Sequence, residues 1–263
     1  MTAEVEPVAM RRARFVLAYD GGGFHGFAEH GDTRTVMGVV RAAIERVTSA
    51  GVALVGAGRT DTGVHAWGQV ISGDLPAATD LDRLAYRINR ICGPEVVVRS
   101  ALWADDANFS ARFSATYRHY RYDVLNAPTA VPAFVGRAWH VAAPLALPTL
   151  RLACDPLIGE QDFASFCRRP KVAADEPPAS LRRRVMLAQW TPVETDYGRL
   201  LRFEIRANAF CHQMVRSIVG TMIDVGHGTL RAGDMRTIML QRDRAAAGQV
   251  APPDGLTLWE VGY

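Results

Sequence analysis

Residues 52–73 read VALVGAGRTDTGVHAWGQVISG, an apolar run, a loop of small residues and a second apolar run. VALVG (52–56) and AWGQVISG (66–73) have the composition of short strands bounded by glycine. Between them Gly56, Gly58 and Gly63 let the backbone fold closely around one carboxylate, Asp61, with Arg59 two residues before it and His65 four after it. A turn aspartate bonding its own backbone is the plainest reading of such a residue. The arginine and the free N–H groups of a glycine loop favour instead a fixed, ionised carboxylate, which suits a nucleophile or an electrostatic catalyst.

Working outward, the two strands are the centre of a longer rhythm. RFVLAY (14–19) is expected as a strand, and 33–51 as a helix with Val36, Val40, Ile44 and Val47 on one face, Thr33 or Thr35 as its cap and Gly51 as its stop. After the pair of strands, 79–92 carries Leu81, Leu84, Ile88 and Ile91 at helical spacing behind Thr79/Asp80, and EVVVRSALW (95–103) is a strand. The order β-α-β-β-α-β is that of a split βαβ, ferredoxin-like unit. The second half repeats it: strand 116–124, helix 147–159, strands 182–190 and 199–207, a long helix 209–226, an additional helix 232–247 and a strand 256–262. The expected fold is therefore α+β: two ferredoxin-like halves, 1–112 and 113–263, with antiparallel sheets side by side and a central active-site cleft. The second half carries the extra helix and a Pro-rich, charged loop at 168–184 that is expected to be mobile.

The 263 residues are 49% hydrophobic and 22% charged, the balance of a globular protein with a substantial core. No apolar stretch approaches the roughly 18 residues of a membrane span, and no signal peptide is read at the start. Four cysteines without a C-x-x-C pair point to reduced thiols and a cytoplasmic protein. No histidine pair has metal-ligand spacing, so neither metal nor cofactor is expected. Net charge is only +3, yet 29 of the 30 basic residues are arginine, Lys171 being the exception. Coding bias accounts for this simply. Knots at Arg11/Arg12/Arg14, Arg168/Arg169/Lys171 and Arg182/Arg183/Arg184 are also compatible with a polyanionic partner.

Two further segments bear on Asp61. In the helix around HQMVRSIVGTMIDVG, Arg216 lies at the edge of a broad apolar face, where a dehydrated guanidinium needs a carboxylate; Asp61 is the expected partner, with Asp224 or solvent as alternatives. In the strand TYRHYRY, Arg118, Tyr120 and Tyr122 share one face, and Tyr117, His119 and Arg121 the other. Rings interleaved with arginines suit stacking on bases and gripping phosphates, as they also suit cross-strand packing. His25 and His212 lie near these elements and read first as hydrogen-bonding residues, with His212 kept among the substrate-binding candidates.

AGRTDTGVHA resembles the signature of the bacterial tRNA pseudouridine synthase A (TruA) family. AYDGGGFHG, NFSARFSATYRHYRY, ANAFCHQMVRSIVGTMIDVG and GLTLWEV resemble its other blocks, in the same order along nearly the whole chain. The resemblance implies a cofactor-free, metal-free isomerase that converts uridine to pseudouridine in the anticodon stem-loop of tRNA, working as a homodimer without a membrane. Carried onto this sequence, it makes Asp61 the catalytic aspartate, assisted by Arg59 and Arg216. Tyr120 becomes the aromatic that stacks on the target base, and Leu256 or Leu258 a lining of the base pocket; Arg118 and His212 are kept as substrate-binding candidates from their place in the sequence. The chain departs from the family pattern at Phe27, Ala28, Met37 and Ser110, which bears on RNA contacts rather than on the reaction.

Two other readings fit parts of the sequence. Asp61-Thr62-Gly63 is also the motif of aspartic proteases, which need two such carboxylates sharing a proton; the chain has one, beside an arginine. A non-catalytic pair of RNA-binding modules would use the arginines and tyrosines and leave Asp61 without a task.

Overall fold

The computed structural model describes residues 9–169 and 180–263. The protein is α+β, and its contacts divide it into two compact units, the residues up to Ala115 with Tyr263, and Thr116–Gly262.

In the first unit β1 (Met10–Tyr19) is followed by α1 (Val36–Thr48), β2 (Val55–Gly56), β3 (His65–Pro76), α2 (Leu81–Cys92) and β4 (Val96–Trp103). β1 lies between β3 and β4, antiparallel to both, and β2 pairs antiparallel with the far side of β3. Alternation along β1 sends Ala13, Phe15, Leu17 and Tyr19 into the core. Val40 and Ile44 of α1 and Leu84 and Ile88 of α2 are buried with them. Each helix starts on a side chain that accepts an otherwise unmet N–H: Thr35 from Gly38 at 3.2 Å, Asp80 from Arg83 at 2.9 Å. α1 stops earlier than expected, because Ser49 rather than Gly51 turns left-handed, at φ 54°. The strand expected at 52–56 shrinks to its last two residues. There Gly56 is required: a Cβ would run into the Phe27 ring.

In the second unit the strands are β5 (Tyr117–Asn126), β6 (Trp139–Val141), β7 (Gly159–Asp162), β8 (Arg182–Thr195), β9 (Gly198–Ala207) and β10 (Leu256–Gly262). They run in the order β10-β5-β9-β8-β7, each antiparallel to its neighbour, and β6 adds a short parallel pairing to the end of β5. The helices are α3 (Leu147–Leu152), α4 (Met214–Gly226) and α5 (Asp234–Gln241). α4 is buried nearly all round, and a Cβ on its Gly220 would run into the carbonyl of Gln249, so the chain crosses it at van der Waals distance.

Three expectations are corrected here. The helix expected over 147–159 ends at Leu152, because Pro156 has no N–H to continue the ladder and biases Asp155 away from it; a 3₁₀ turn at Asp155–Leu157 and the unexpected β7 follow. The helix expected from 209 begins only at Met214, after Gln213 turns left-handed at φ 64°, which leaves 209–213 as a loop. Of the loop expected at 168–184, the last three residues already belong to β8, and 170–179 lie outside the described residues.

The cysteines are corrected as well. Cys167 and Cys211 form a disulfide across 44 residues with Cα atoms 5.7 Å apart. The Arg168 N–H donates to the His212 carbonyl at 3.0 Å and holds the two segments together. Cys92 and Cys154 are free and buried; burial raises both thiols, Cys154 up to about 12. Native protein is expected to show no thiol reactive to Ellman's reagent at pH 8, unfolded protein two, and unfolded, reduced protein four. Four thiols without reductant would contradict the bridge. Cys211→Ser is expected to cost about 2–4 kcal/mol of stability in urea denaturation.

Candidate functional site

The loop between β2 and β3 is tied mostly to partners outside it. The Ala57 N–H donates to Val70 at 2.8 Å, the Gln69 amide to the Gly58 carbonyl at 2.8 Å, and the Phe27 N–H to the Thr60 carbonyl at 3.1 Å. Thr60 Oγ1 and the Tyr19 hydroxyl meet at 2.7 Å. The Val64 N–H returns to the Asp61 carbonyl at 3.1 Å, a turn made possible by Gly63 at φ 81°. On the far side His65 Nδ1 accepts from the Gly21 N–H at 3.1 Å and lies 3.2 Å from Asp20 Oδ1. Asp61 is half-buried at the top of this frame, and the Arg59 side chain on the same loop is exposed.

In the second unit β5 sorts its residues by face. Tyr120, 8% exposed, stands opposite Leu258 on β10 and Ile205 on β9; Tyr122 stands opposite Leu256. Leu256 and Leu258 are both buried, and the Tyr122 hydroxyl donates to the Pro252 carbonyl at 2.9 Å, so Tyr122 is a core residue. The Tyr120 and Phe210 rings meet in a T-shape, with centroids 4.9 Å apart and planes at 86°. Phe210 precedes Cys211, so the disulfide fixes the loop that brings this ring in. Arg118 donates to the Asn208 carbonyl at 2.9 Å, next to the same loop. His212 is exposed, and Arg216, in the first turn of α4, donates through Nε to the Ala251 carbonyl at 2.7 Å. On the other face Arg121 pairs with Glu204 at 2.8 Å and lies 3.6 Å from the Trp259 ring centre. Burial lowers the pKa of His119, and Glu204 at 3.4 Å opposes the shift.

Much of the basic charge is already engaged. Arg12 pairs with Asp74 at 2.6 Å, Arg14 lies over the Tyr263 ring at 4.5 Å and Arg182 pairs with Glu160 at 3.0 Å. Among the described residues no group of three or more His, Cys, Asp or Glu side chains could hold a metal ion, and no helix is long and apolar enough to cross a membrane. Sequence reasoning missed Phe210 and the supports of the Asp61 loop, Tyr19, Thr60 and Gln69. Tyr19 and Thr60 sit inside the motifs quoted above, but their pairing joins positions 41 residues apart and leaves no local signal.

Residues 153–263 match a family profile described as tRNA pseudouridine synthase. A tRNA pseudouridine synthase A of Brevibacillus brevis is 39% identical over 254 residues, covering 97% of this chain and 100% of that protein. One of Acidiphilium cryptum is 40% identical over 256 residues, 97% of each chain, and one of Thermoanaerobacter sp. is 35% identical over 254 residues, 97% of this chain and all of that one.

The edge-on ring contact can be tested directly. Phe210→Leu keeps an apolar side chain and loses the contact with Tyr120, and is expected to cost about 1 kcal/mol in urea denaturation. An unchanged midpoint would show that the contact contributes nothing.

Proposed function

The chain belongs to the tRNA pseudouridine synthase family, isomerases that act on tRNA, and we propose that it converts uridine of the anticodon stem-loop with Asp61 as its catalytic carboxylate. The observation that carries this reading is the Asp61 loop, whose carbonyls at 58, 60 and 61 are each tied to a donor, so the carboxylate rises from a rigid frame. The reaction breaks the N1–C1′ bond, turns the uracil and joins C5 to C1′; the C5 proton is lost and N1 ends protonated, so no atom is gained. Three tasks are chemically open to the carboxylate: attack at C1′, addition at C6, or removal of a proton at C2′. The first resembles the trapping of an oxocarbenium-like sugar by glycosidases.

Tyr120 is read as the ring that stacks on the extruded base. Extrusion costs about a few kcal/mol, and stacking contributes about 1–3 kcal/mol in return. Phe210 and the paired strands already immobilise Tyr120, so stacking sacrifices little side-chain freedom. Arg59 and Arg216 are read as the guanidinium groups that assist flipping and steady the carboxylate. Leu256 or Leu258 is read as pocket lining, and Arg118 and His212 as substrate contacts.

Each unit is also read as a split βαβ, ferredoxin-like half, with 1–112 and 113–263 as the two domains. The strand orders β4-β1-β3-β2 and β10-β5-β9-β8, all antiparallel, support that reading. A cytoplasmic homodimer is proposed on the family resemblance alone, the bridge between Cys167 and Cys211 having removed the cysteine argument for a reducing compartment. Sedimentation is expected to give twice the chain mass of 28.7 kDa, and a species at that mass itself would contradict the dimer.

Asp61→Asn is expected to bind tRNA as the parent does while pseudouridine formation falls to background; unchanged modification would end the catalytic assignment. Tyr120→Phe is expected to keep affinity and slow single-turnover conversion, and equal rates would remove any role for the hydroxyl.

A further inference from the structure

Beneath the Asp61 loop lies a set of polar side chains sunk in an otherwise apolar core. Tyr19 closes β1 on its inward face, 5% exposed, and its hydroxyl is 2.7 Å from Thr60 Oγ1. Gln69, opposite Leu17 on β3, is a fully buried amide. Its Nε2 donates to the Gly58 carbonyl at 2.8 Å, and its Oε1 accepts from the Val70 N–H at 3.2 Å. Thr60 is buried too, with its carbonyl taken by the Phe27 N–H at 3.1 Å. Residues 58 and 60 are therefore held through side chain and backbone together, and the next residue is Asp61.

Burying two hydroxyls and an amide is unfavourable unless every group finds a partner, whereas phenylalanine at 19 and valine at 60 would fill the same volumes without that condition. Satisfied polar networks of this kind specify one geometry more than they add stability. Burial raises the Tyr19 pKa well above the usual phenol value, so the hydroxyl stays protonated at every working pH. An apolar core would hold the loop less specifically: the Gly58 and Thr60 peptides could then rotate, and the carboxylate with them.

The geometry points to Tyr19, Thr60 and Gln69 as positioning residues that fix the direction in which the Asp61 carboxylate leaves its loop. This rests on the reading of Asp61 as the catalytic group. None of the three is assigned contact with the nucleoside; they act through the peptide units on either side of residue 60. Misplacement of a reacting group by about 1 Å costs on the order of a hundredfold in rate, so the effect belongs in turnover and not in tRNA affinity.

The test compares Tyr19→Phe, Thr60→Val and Thr60→Ser in the full chain, using a tRNA transcript tritiated at uridine C5 and single-turnover tritium release, with tRNA affinity measured in parallel. Tyr19→Phe and Thr60→Val are expected to slow release by about tenfold to a hundredfold with affinity unchanged. Thr60→Ser, which restores the hydroxyl, is expected to stay near the parent rate. Tyr19→Phe/Thr60→Val together should be no slower than the slower single variant, because both remove one hydrogen bond. Should Tyr19→Phe fail to fold, the valine and serine variants at 60 decide alone. Parental rates for Thr60→Val would overturn the proposal, as would loss confined to affinity or to thermal stability. Asp61→Asn measured beside them separates the two levels: an active asparagine variant sinks the reading of Asp61, while an inactive one beside a fully active Thr60→Val sinks the positioning role only.

Discussion

A backbone carbonyl turned into a protein interior must find a donor, and residues 57–64 meet that demand in an unusual way. Ordinary turns close on themselves. Here the strand side chain Gln69, the strand-end side chain Tyr19 and the N–H of Phe27 all reach into one short loop. The consequence is mechanical: the chain at 58–61 has few ways to move without leaving a buried polar group unmet, which costs about 1–3 kcal/mol for each group. A carboxylate carried on such a loop is held in place before any substrate arrives, the condition under which electrostatic or nucleophilic catalysis is effective.

The second unit uses the alternation of a single strand to separate an aromatic face from a charged one. One face of β5 puts Tyr122 into the core and Tyr120 at its margin, against Phe210. The other face gives its charge away within the fold, with Arg121 bonded to Glu204 and lying over Trp259. The same is true of Arg202, bonded to Asp123 at 2.7 Å. An arginine-rich composition therefore overstates the number of guanidinium groups ready for phosphate. Arg59, on the same loop as Asp61, is exposed.

Elements with strong local signals were legible in the sequence. α1 and α2 announce themselves through apolar spacing and the caps Thr35 and Asp80, and the alternating β1, β5 and β9 through pattern and composition. What escaped reading depends on distant partners. β7 exists because Arg182–Val185 of β8 lies alongside it, and β6 because β5 offers a neighbour. The bridge between Cys167 and Cys211 follows from two loops meeting, which spacing alone cannot reveal. The loop around Asp61 was legible through its glycines, whereas its supports were not, since Tyr19 and Gln69 look like ordinary strand residues until the fold brings them under the loop.

The central proposal is that the carboxylate at 61 works on the nucleoside itself. The most direct measurement is a crystal structure of the protein with an anticodon stem-loop RNA whose target uridine is extruded. An Asp61 oxygen is expected at about 3–3.5 Å from C1′, C6 or the C2′ hydrogen of that nucleotide, with the base stacked on Tyr120. An extruded uridine seated with its sugar and ring beyond reach of Asp61 would contradict it.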